Sequence, residues 1–303
     1  MSSEVTRAGF ISLIGRPNVG KSAFLNRVVT ARLMAVSNRP QTTRDRVTGI
    51  LNRRGVQFCF VDLPGLQEGD DRYNRRLRSL GEKAVAGADV VLYMIDGLRR
   101  QGTQSDLLFE RWLSLLRIPI IGVVTKIDRW ERDRLQEFQG VTAYWSARCR
   151  WESLIAISAV TGCNIPKLLD LIEGLLPITP HFFPNDCLSD RNDRFWVAEL
   201  IRESAMMLTG EEVPHALTVM VGRYEDEERL LRVSADLVVE REGQKGIVVG
   251  SSGSMIKRIG VRSRKAIEEQ IGKKLFLELR VVVKKNWRND ERFLDQLEAF
   301  YKS

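Results

Sequence analysis

A chain of 303 residues, 44% hydrophobic and 28% charged, has a globular composition and the length of two ordinary domains, each able to bury its own core. No apolar run approaches the ~18 residues of a membrane-spanning helix, and strand-like sequence begins by Gly9, so no signal or transit segment is expected. The four cysteines (Cys59, Cys149, Cys163 and Cys187) show no paired spacing, which argues against a zinc site or a disulfide framework and fits a reducing, cytoplasmic setting.

The net charge of +8 is unevenly spread. Residues 1–178 hold 26 Lys and Arg against 18 Asp and Glu, whereas residues 179–303 hold 21 of each. Within that balanced second part, Arg241–Lys285 carries 12 basic and 4 acidic residues, and acidic stretches such as "YEDEE" lie elsewhere. A clustered basic segment is the electrostatic footprint of a polyanion partner such as RNA; a solvated, lysine-rich surface is the plainer alternative.

From Gly9 to about Leu176, short β-rich runs alternate with helix-length segments. The runs are "GFISLIG", "VQFCFVD", "DVVLYMID", "PIIGVVTK" and "SLIAIS", continuous in Val, Ile and Leu as strands buried on both faces of a parallel sheet must be. "RVTGIL" alternates instead and reads as an edge strand paired with the strand after it. These features predict a doubly wound α/β domain.

The first run leads into "GRPNVGKS", Gly15–Ser22, which fits G-x-x-x-x-G-K-[ST] between a strand and a helix. Such a loop wraps the β-phosphate of a nucleotide in backbone N–H groups, supplied here by Gly15, Asn18, Val19, Gly20 and Ala23 among others, at the positive end of a helix. Lys21 is expected to reach the β- and γ-phosphates and Ser22 to ligate Mg²⁺. "NRPQTTRDR" lacks periodicity and suits a switch segment whose Thr43, with Thr42 as the alternative, completes the Mg²⁺ shell. "DLPG" ends a later strand, placing Asp62 near the metal and the Gly65 N–H where it senses a γ-phosphate.

"TKID" ends another strand. A carboxylate at Asp128 can accept from guanine N1–H and the 2-amino group, donors that adenine lacks, so GTP is expected rather than ATP. Lys126 lies along the base, and Thr125 ties this loop to the phosphate loop; a Thr is the less common residue there and is expected to weaken the tie. In "ISAVTG", Ser158 and Ala159 complete the base site, with the Ala159 N–H toward guanine O6. The position after D-x-x-G, where a Gln ordinarily orients the attacking water, is Leu66, and Gln67 comes one place late. Slow intrinsic turnover follows, within a few orders of magnitude of the ~10⁻⁴ to 10⁻² s⁻¹ of unassisted GTPases.

"LPITPHFFPNDCLSD", with Pro177, Pro180 and Pro184, reads as a linker. Beyond it come a helix (Phe195–Leu208), strands at Ala216–Tyr224 and Arg229–Glu240, two helices flanking "VVGSSGSMIKRIG", a strand at Leu275–Lys284 and a final helix. The expected division is a domain over 1–178, a linker over 179–194 and a domain over 195–303.

"GRPNVGKS", "PQTTR", "DLPG", "TKID" and "SAVTG" resemble small bacterial GTPases that carry a hydrophobic residue in place of the catalytic Gln. With "FPNDCLSDRNDRFWVAELIRE", "EREGQKGIVVG" and "KNWRNDER", nearly the whole chain resembles the Era family. That resemblance implies a P-loop GTPase domain with a mostly parallel, doubly wound sheet, followed by a smaller α+β type II KH domain. It implies a GTP-hydrolysing switch that binds the 3′ region of 16S ribosomal RNA and assists assembly of the 30S subunit. It also implies association with the inner face of the membrane, and the expected state is a monomer. Asn18 matches the phosphate-loop Asn that holds a K⁺ in potassium-activated relatives, so it joins Lys21, Thr43 and Gly65 as an expected catalytic residue. Ala23 stands where the family usually has Thr.

In a KH fold, a G-x-x-G loop between two helices clamps about four nucleotides of single-stranded RNA. Here the loop is Gly250, Ser251, Ser252 and Gly253, with no basic residue at its variable positions. Ile247, Val248, Ile256 and Ile259 are candidates for an apolar floor or for the core. Lys257, Arg258, Arg262 and Arg264 extend a positive path, and Trp287 serves either to stack on a base or to pack. One competing reading is an RNA-binding assembly protein whose GTPase domain has lost turnover, for which Leu66 and Thr125 are the support; another is a different ribosome GTPase, such as one with tandem GTPase domains, against which stands the single P-loop motif of the sequence.

Overall fold

The structure, a computed structural model, describes residues 6–29, 46–63, 72–99, 102, 106, 112–130, 135–210 and 213–301. The chain forms two compact units: of the described residues, those of 6–29, 46–63 and 77–190 make the first, and 72–76 with 191–301 make the second.

The first unit is built on a six-stranded sheet. In chain order its strands are β1 (Arg7–Gly15), β2 (Val47–Arg53), β3 (Val56–Asp62), β4 (Val90–Asp96), β5 (Ile120–Thr125) and β6 (Ser153–Ala156). Their spatial order is β2-β3-β1-β4-β5-β6, with only β2 antiparallel to its neighbour. Every residue of β3 and of β5 is buried, which is why neither run alternates. "RVTGIL" is the edge strand β2, hydrogen-bonded to β3 as its alternation implied.

Helices α1 (Lys21–Val29), α2 (Arg72–Ala86, part of this unit from Leu77 onward), α3 (Leu135–Ser146) and α4 (Ile165–Leu175) flank the sheet. Phe24 of α1 meets Phe60 edge-on, and α2 presses Ala84 and Val85 into the core formed around Tyr93 and Trp145. The Ser12 hydroxyl in β1 donates to the Ala84 carbonyl, satisfying a polar group inside that contact.

The proline-bearing stretch 179–190 runs along the β2 edge. Asp190 accepts from both the Thr48 N–H and its hydroxyl at 2.9 Å, and the Ile50 N–H donates to the Leu188 carbonyl at 2.9 Å. Gln57 Oε1 accepts from the N–H groups of Phe182 and Phe183 at 2.7 and 2.9 Å. An edge strand leaves a row of backbone groups needing partners, and this segment supplies several of them.

The second unit opens with α5 (Asp193–Leu208), whose cap Asn192 accepts from the Phe195 N–H at 3.1 Å. There follow α6 (Val213–Ala216), a short helix the sequence did not suggest, then β7 (Thr218–Asp226) and β8 (Leu230–Val239). After them come α7 (Glu242–Val249), α8 (Ser254–Ile271), β9 (Lys274–Val283) and α9 (Glu291–Tyr301). β7 pairs antiparallel with β8, whereas β8 and β9 are parallel and need the α7–α8 crossover to connect them. β8 buries alternate residues until its last three, all of which are buried.

Of the two roles open to Trp287, packing is the one the structure displays. The ring is 1% exposed, its N–H donates to the Ala216 carbonyl at 2.9 Å, and Val238, Phe293 and Leu294 surround it. A base has no access to it.

Candidate nucleotide site and nucleic-acid interface

The residues singled out in the first unit gather at the carboxyl ends of β1, β3, β5 and β6, where open α/β sheets place ligands. β1 ends at Gly15 with φ +148°; a Cβ there would lie 2.5 Å from the Met94 carbonyl oxygen, so only glycine lets the loop leave the sheet this close to β4. Asn18 is exposed at φ 62°, Val19 is buried, and Gly20 accepts from the Phe24 N–H to begin α1. Ser22 and Ala23, in the first turn, are half-buried.

Lys21 is 6% exposed and its ammonium is held by two carbonyls, Gly15 at 2.9 Å and Arg16 at 3.1 Å. Burial pushes its pKa below the ordinary value, and Asp62 opposes that shift. The ammonium is thus folded back over its own loop. The Ser22 hydroxyl donates to Asp62 Oδ2 at 3.0 Å, and Asp62 is wholly buried at the end of β3. A hydroxyl and a carboxylate side by side are hard oxygen donors of the kind Mg²⁺ takes, with phosphates and water filling the remaining positions.

The loops that follow β5 and β6 are similarly braced. The Thr125 hydroxyl, 4% exposed, donates to the Val19 carbonyl at 2.6 Å, with the Ile95 carbonyl 3.0 Å from the same oxygen. The tie expected between the two loops is therefore made by a threonine. Lys126 sits at φ 62°, its ammonium 2.9 Å from Asp96 Oδ2. Asp128 is exposed on a short 3₁₀ turn, and its Oδ1 accepts from the Ser158 hydroxyl at 2.6 Å. Ser158 in turn accepts from the Thr161 N–H at 3.0 Å, with Ala159 half-buried beside it.

Asp96 was not anticipated. The signal that could have found it is register: β4 and β5 pair with Asp96 opposite Thr125, which puts the acid beside the lysine that follows. Thr42, Thr43, Gly65, Leu66 and Gln67 lie outside the described residues.

In the second unit the loop joining α7 to α8 has the shape its glycines suggested. Gly250 adopts φ 73° and ψ 173°, and a Cβ on it would fall 2.7 Å from Met255 Cβ and 2.8 Å from the Met255 N. Ser251 and Ser252 are exposed, with Ser252 itself in the left-handed region at φ 49°, followed by Gly253 at φ 77°. Lys257 and Arg258 are exposed on the first turns of α8. The apolar candidates separate: Val248 and Ile259 are core residues with no exposure, Ile256 is half-buried, and Ile247 is 43% exposed next to the loop. Of the four, Ile247 and Ile256 alone keep surface open to a ligand.

An α/β P-loop GTPase domain followed by a KH domain is the class that this fold defines. Residues 10–126 match the family model described as 50S ribosome-binding GTPase, and residues 212–288 match that of the KH domain. The chain is 37% identical over 297 residues to GTPase Era of Geotalea uraniireducens (strain Rf4), covering 98% of this chain and 99% of the relative. It is 39% identical over 297 residues to GTPase Era of Geobacter sp. (strain M21), with the same coverage. Against GTPase Era of Staphylococcus haemolyticus (strain JCSC1435) the identity is 35% over 297 residues, with 96% of each chain covered. The chain belongs to the Era family of GTPases. Among solved structures, Era in complex with MgGDPNP and nucleotides 1506–1542 of 16S ribosomal RNA superposes with a TM-score of 0.87, at 30% identity over 96% of this chain and 98% of that one. A tyrosine-to-alanine variant of Aquifex aeolicus Era bound to GDP·AlF4⁻ gives the same values.

Proposed function

We propose that the first unit binds and hydrolyses GTP with Mg²⁺, and that the second binds the 3′ region of 16S ribosomal RNA as part of 30S subunit assembly. The observation that carries the nucleotide half is the meeting of the Lys21, Ser22–Asp62, Thr125–Val19 and Ser158–Asp128 groups at one end of a mostly parallel sheet. In this reading the N–H groups of Gly15–Ala23 cradle the phosphates and Lys21 exchanges its carbonyl partners for phosphate oxygens. Ser22 and Asp62 hold Mg²⁺, directly or through water, with Thr43 as the switch ligand and Gly65 as the γ-phosphate sensor. Bound there, Mg²⁺ would supply charge neutralisation to the phosphates. Asp128 reads guanine, Lys126 lies along the base, and the Ala159 N–H meets O6. Asn18 would hold a K⁺, whose charge would add to that of Lys21. With Leu66 in place of a water-orienting Gln, turnover is slow until a partner or the RNA supplies the missing alignment.

On the RNA side, Gly250–Gly253 bring backbone and hydroxyl donors to phosphates, Lys257 and Arg258 supply charge, and Ile247 lies under a base. The solved relative with bound 16S ribosomal RNA nucleotides supports this half. We include in the same proposal a monomeric, cytoplasmic protein with peripheral membrane association; among the described residues no helix is long and apolar enough to cross a membrane.

Crosslinking to 30S precursor RNA with GTP, GDP or no nucleotide, alongside multiple-turnover phosphate release, tests both halves. The expected result is a crosslink at the 16S 3′ end whose yield depends on nucleotide, with slow, Mg²⁺-dependent phosphate release. Crosslinks elsewhere on the RNA, or none, would refute the RNA half, and absence of phosphate release with and without RNA would refute the hydrolytic half.

A further inference from the structure

Asp106 is a buried carboxylate, 5% exposed, with no part in the site described above. Its Oδ1 accepts from the Tyr93 hydroxyl at 2.8 Å, and Tyr93 is fully enclosed in the middle of β4. Its Oδ2 lies 3.5 Å from the Arg16 guanidinium, whose side chain is 24% exposed. Arg16 is the second residue of the phosphate loop, and its carbonyl is one of the two that hold the Lys21 ammonium.

A carboxylate removed from water is costly unless it is paired and hydrogen-bonded, and here a phenol and a guanidinium do both. The phenol is fixed by the sheet, so it fixes the carboxylate, and the carboxylate fixes where the Arg16 side chain goes. A phosphate loop turns several N–H groups and an ammonium toward one point, which favours spreading of the loop while no anion is bound. A tie from the loop to the core opposes that spreading, and a loop already shaped for its ligand loses less on binding.

We propose that Asp106 is a positioning residue for nucleotide binding, holding the start of the phosphate loop in its binding shape through Arg16. The proposal rests on Gly15–Ser22 being the phosphate loop. A carboxylate that served packing alone would affect stability and leave affinity untouched.

The experiment is a double-mutant cycle on the full-length protein, with a fluorescent GDP analogue as probe, Mg²⁺ present, and melting temperatures measured in parallel. Arg16→Gln and Asp106→Asn are each expected to weaken GDP binding about fivefold, equivalent to about 1 kcal/mol. The double variant is expected to be no weaker than the weaker single variant, and Arg16→Lys to recover part of the loss. A folded Asp106→Asn variant with wild-type affinity would overturn the proposal. So would an Asp106→Asn effect of equal size in the wild-type and Arg16→Gln backgrounds. If Asp106→Asn does not fold, Tyr93→Phe takes its place in the cycle under the same criteria. Failure of the wild-type protein to bind the probe would instead refute the nucleotide-site reading itself.

Discussion

The Ser158 hydroxyl donates to Asp128 Oδ1 at 2.6 Å, so a residue following β6 orients the carboxylate that follows β5. This leaves Asp128 with a defined direction before any base is present. Replacing Asp128 by Asn exchanges two acceptor oxygens for one acceptor and one donor group. GTP affinity should fall roughly a hundredfold or more, since two charge-assisted bonds of about 1.5–3 kcal/mol each are affected. Xanthosine triphosphate, with an oxygen where guanine has its 2-amino group, should gain relative to GTP. Competition binding measures both. Ser158→Ala should cost less, about fivefold, because Asp128 is exposed and water can replace the hydroxyl. An unchanged GTP preference in Asp128→Asn would exclude the assigned role.

Thr125 is buried where its hydroxyl joins the base loop to the phosphate loop. Thr125→Val keeps the shape and leaves the Val19 carbonyl without this donor, a loss of about 1–3 kcal/mol. Both the melting temperature and GDP affinity should fall together, because one bond serves packing and site. A drop in melting temperature with GDP affinity unchanged would show that the tie does not reach the phosphates.

Asn18 lies within the phosphate loop, exposed and at φ 62°. If it holds a K⁺ there, GTP turnover should be faster in KCl than in NaCl of equal ionic strength, and Asn18→Ala should abolish the difference. Equal rates in the two salts would remove the cation from the mechanism.

Ser252 already occupies the left-handed region at φ 49°, so Ser252→Lys adds charge without a backbone penalty that serine does not already bear. RNA binding should tighten, and the slope of log K against log salt should steepen by about 0.7 for one added phosphate contact. Gly250→Ala is the opposite case. Its Cβ would meet Met255 at 2.7 Å, and the resulting strain of about 1–3 kcal/mol should distort the loop and weaken RNA binding. An unchanged affinity and slope in Ser252→Lys would place the loop away from the RNA backbone.

Trp287→Ala should cost about 3–5 kcal/mol in the second unit, through the cavity and the lost bond to the Ala216 carbonyl. Trp287→Phe should recover most of the packing but not the hydrogen bond. Chemical denaturation of the full chain, followed by a probe in that unit, reads both. RNA affinity of the folded Trp287→Phe variant should match the wild type, as a buried ring has no contact with bases.

Local chemistry made much of this molecule legible. Unbroken Val, Ile and Leu runs are demanded by strands covered on both faces, so β3, β4 and β5 could be read directly, as could the alternating β2 at the edge. Glycines at Gly15 and Gly250 mark backbone conformations that a Cβ would forbid, which is why both loops were visible as strings of letters. The Era family itself was recognisable from short motifs spaced along nearly the whole chain.

What folding alone decided are the pairings between distant positions. No periodicity distinguishes Ile247, exposed, from Val248 and Ile259, buried, because the helix crossing sets which side is covered. Trp287 became a core residue only when the segment before β7 brought the Ala216 carbonyl to its indole. Asp96 reached Lys126 through the register of β4 on β5, and Asp106, one oxygen held by the hydroxyl of a buried tyrosine, met Arg16 with the other. Motifs and propensities act over a few residues; these contacts span tens of residues, and only the packing of the sheet sets their distances.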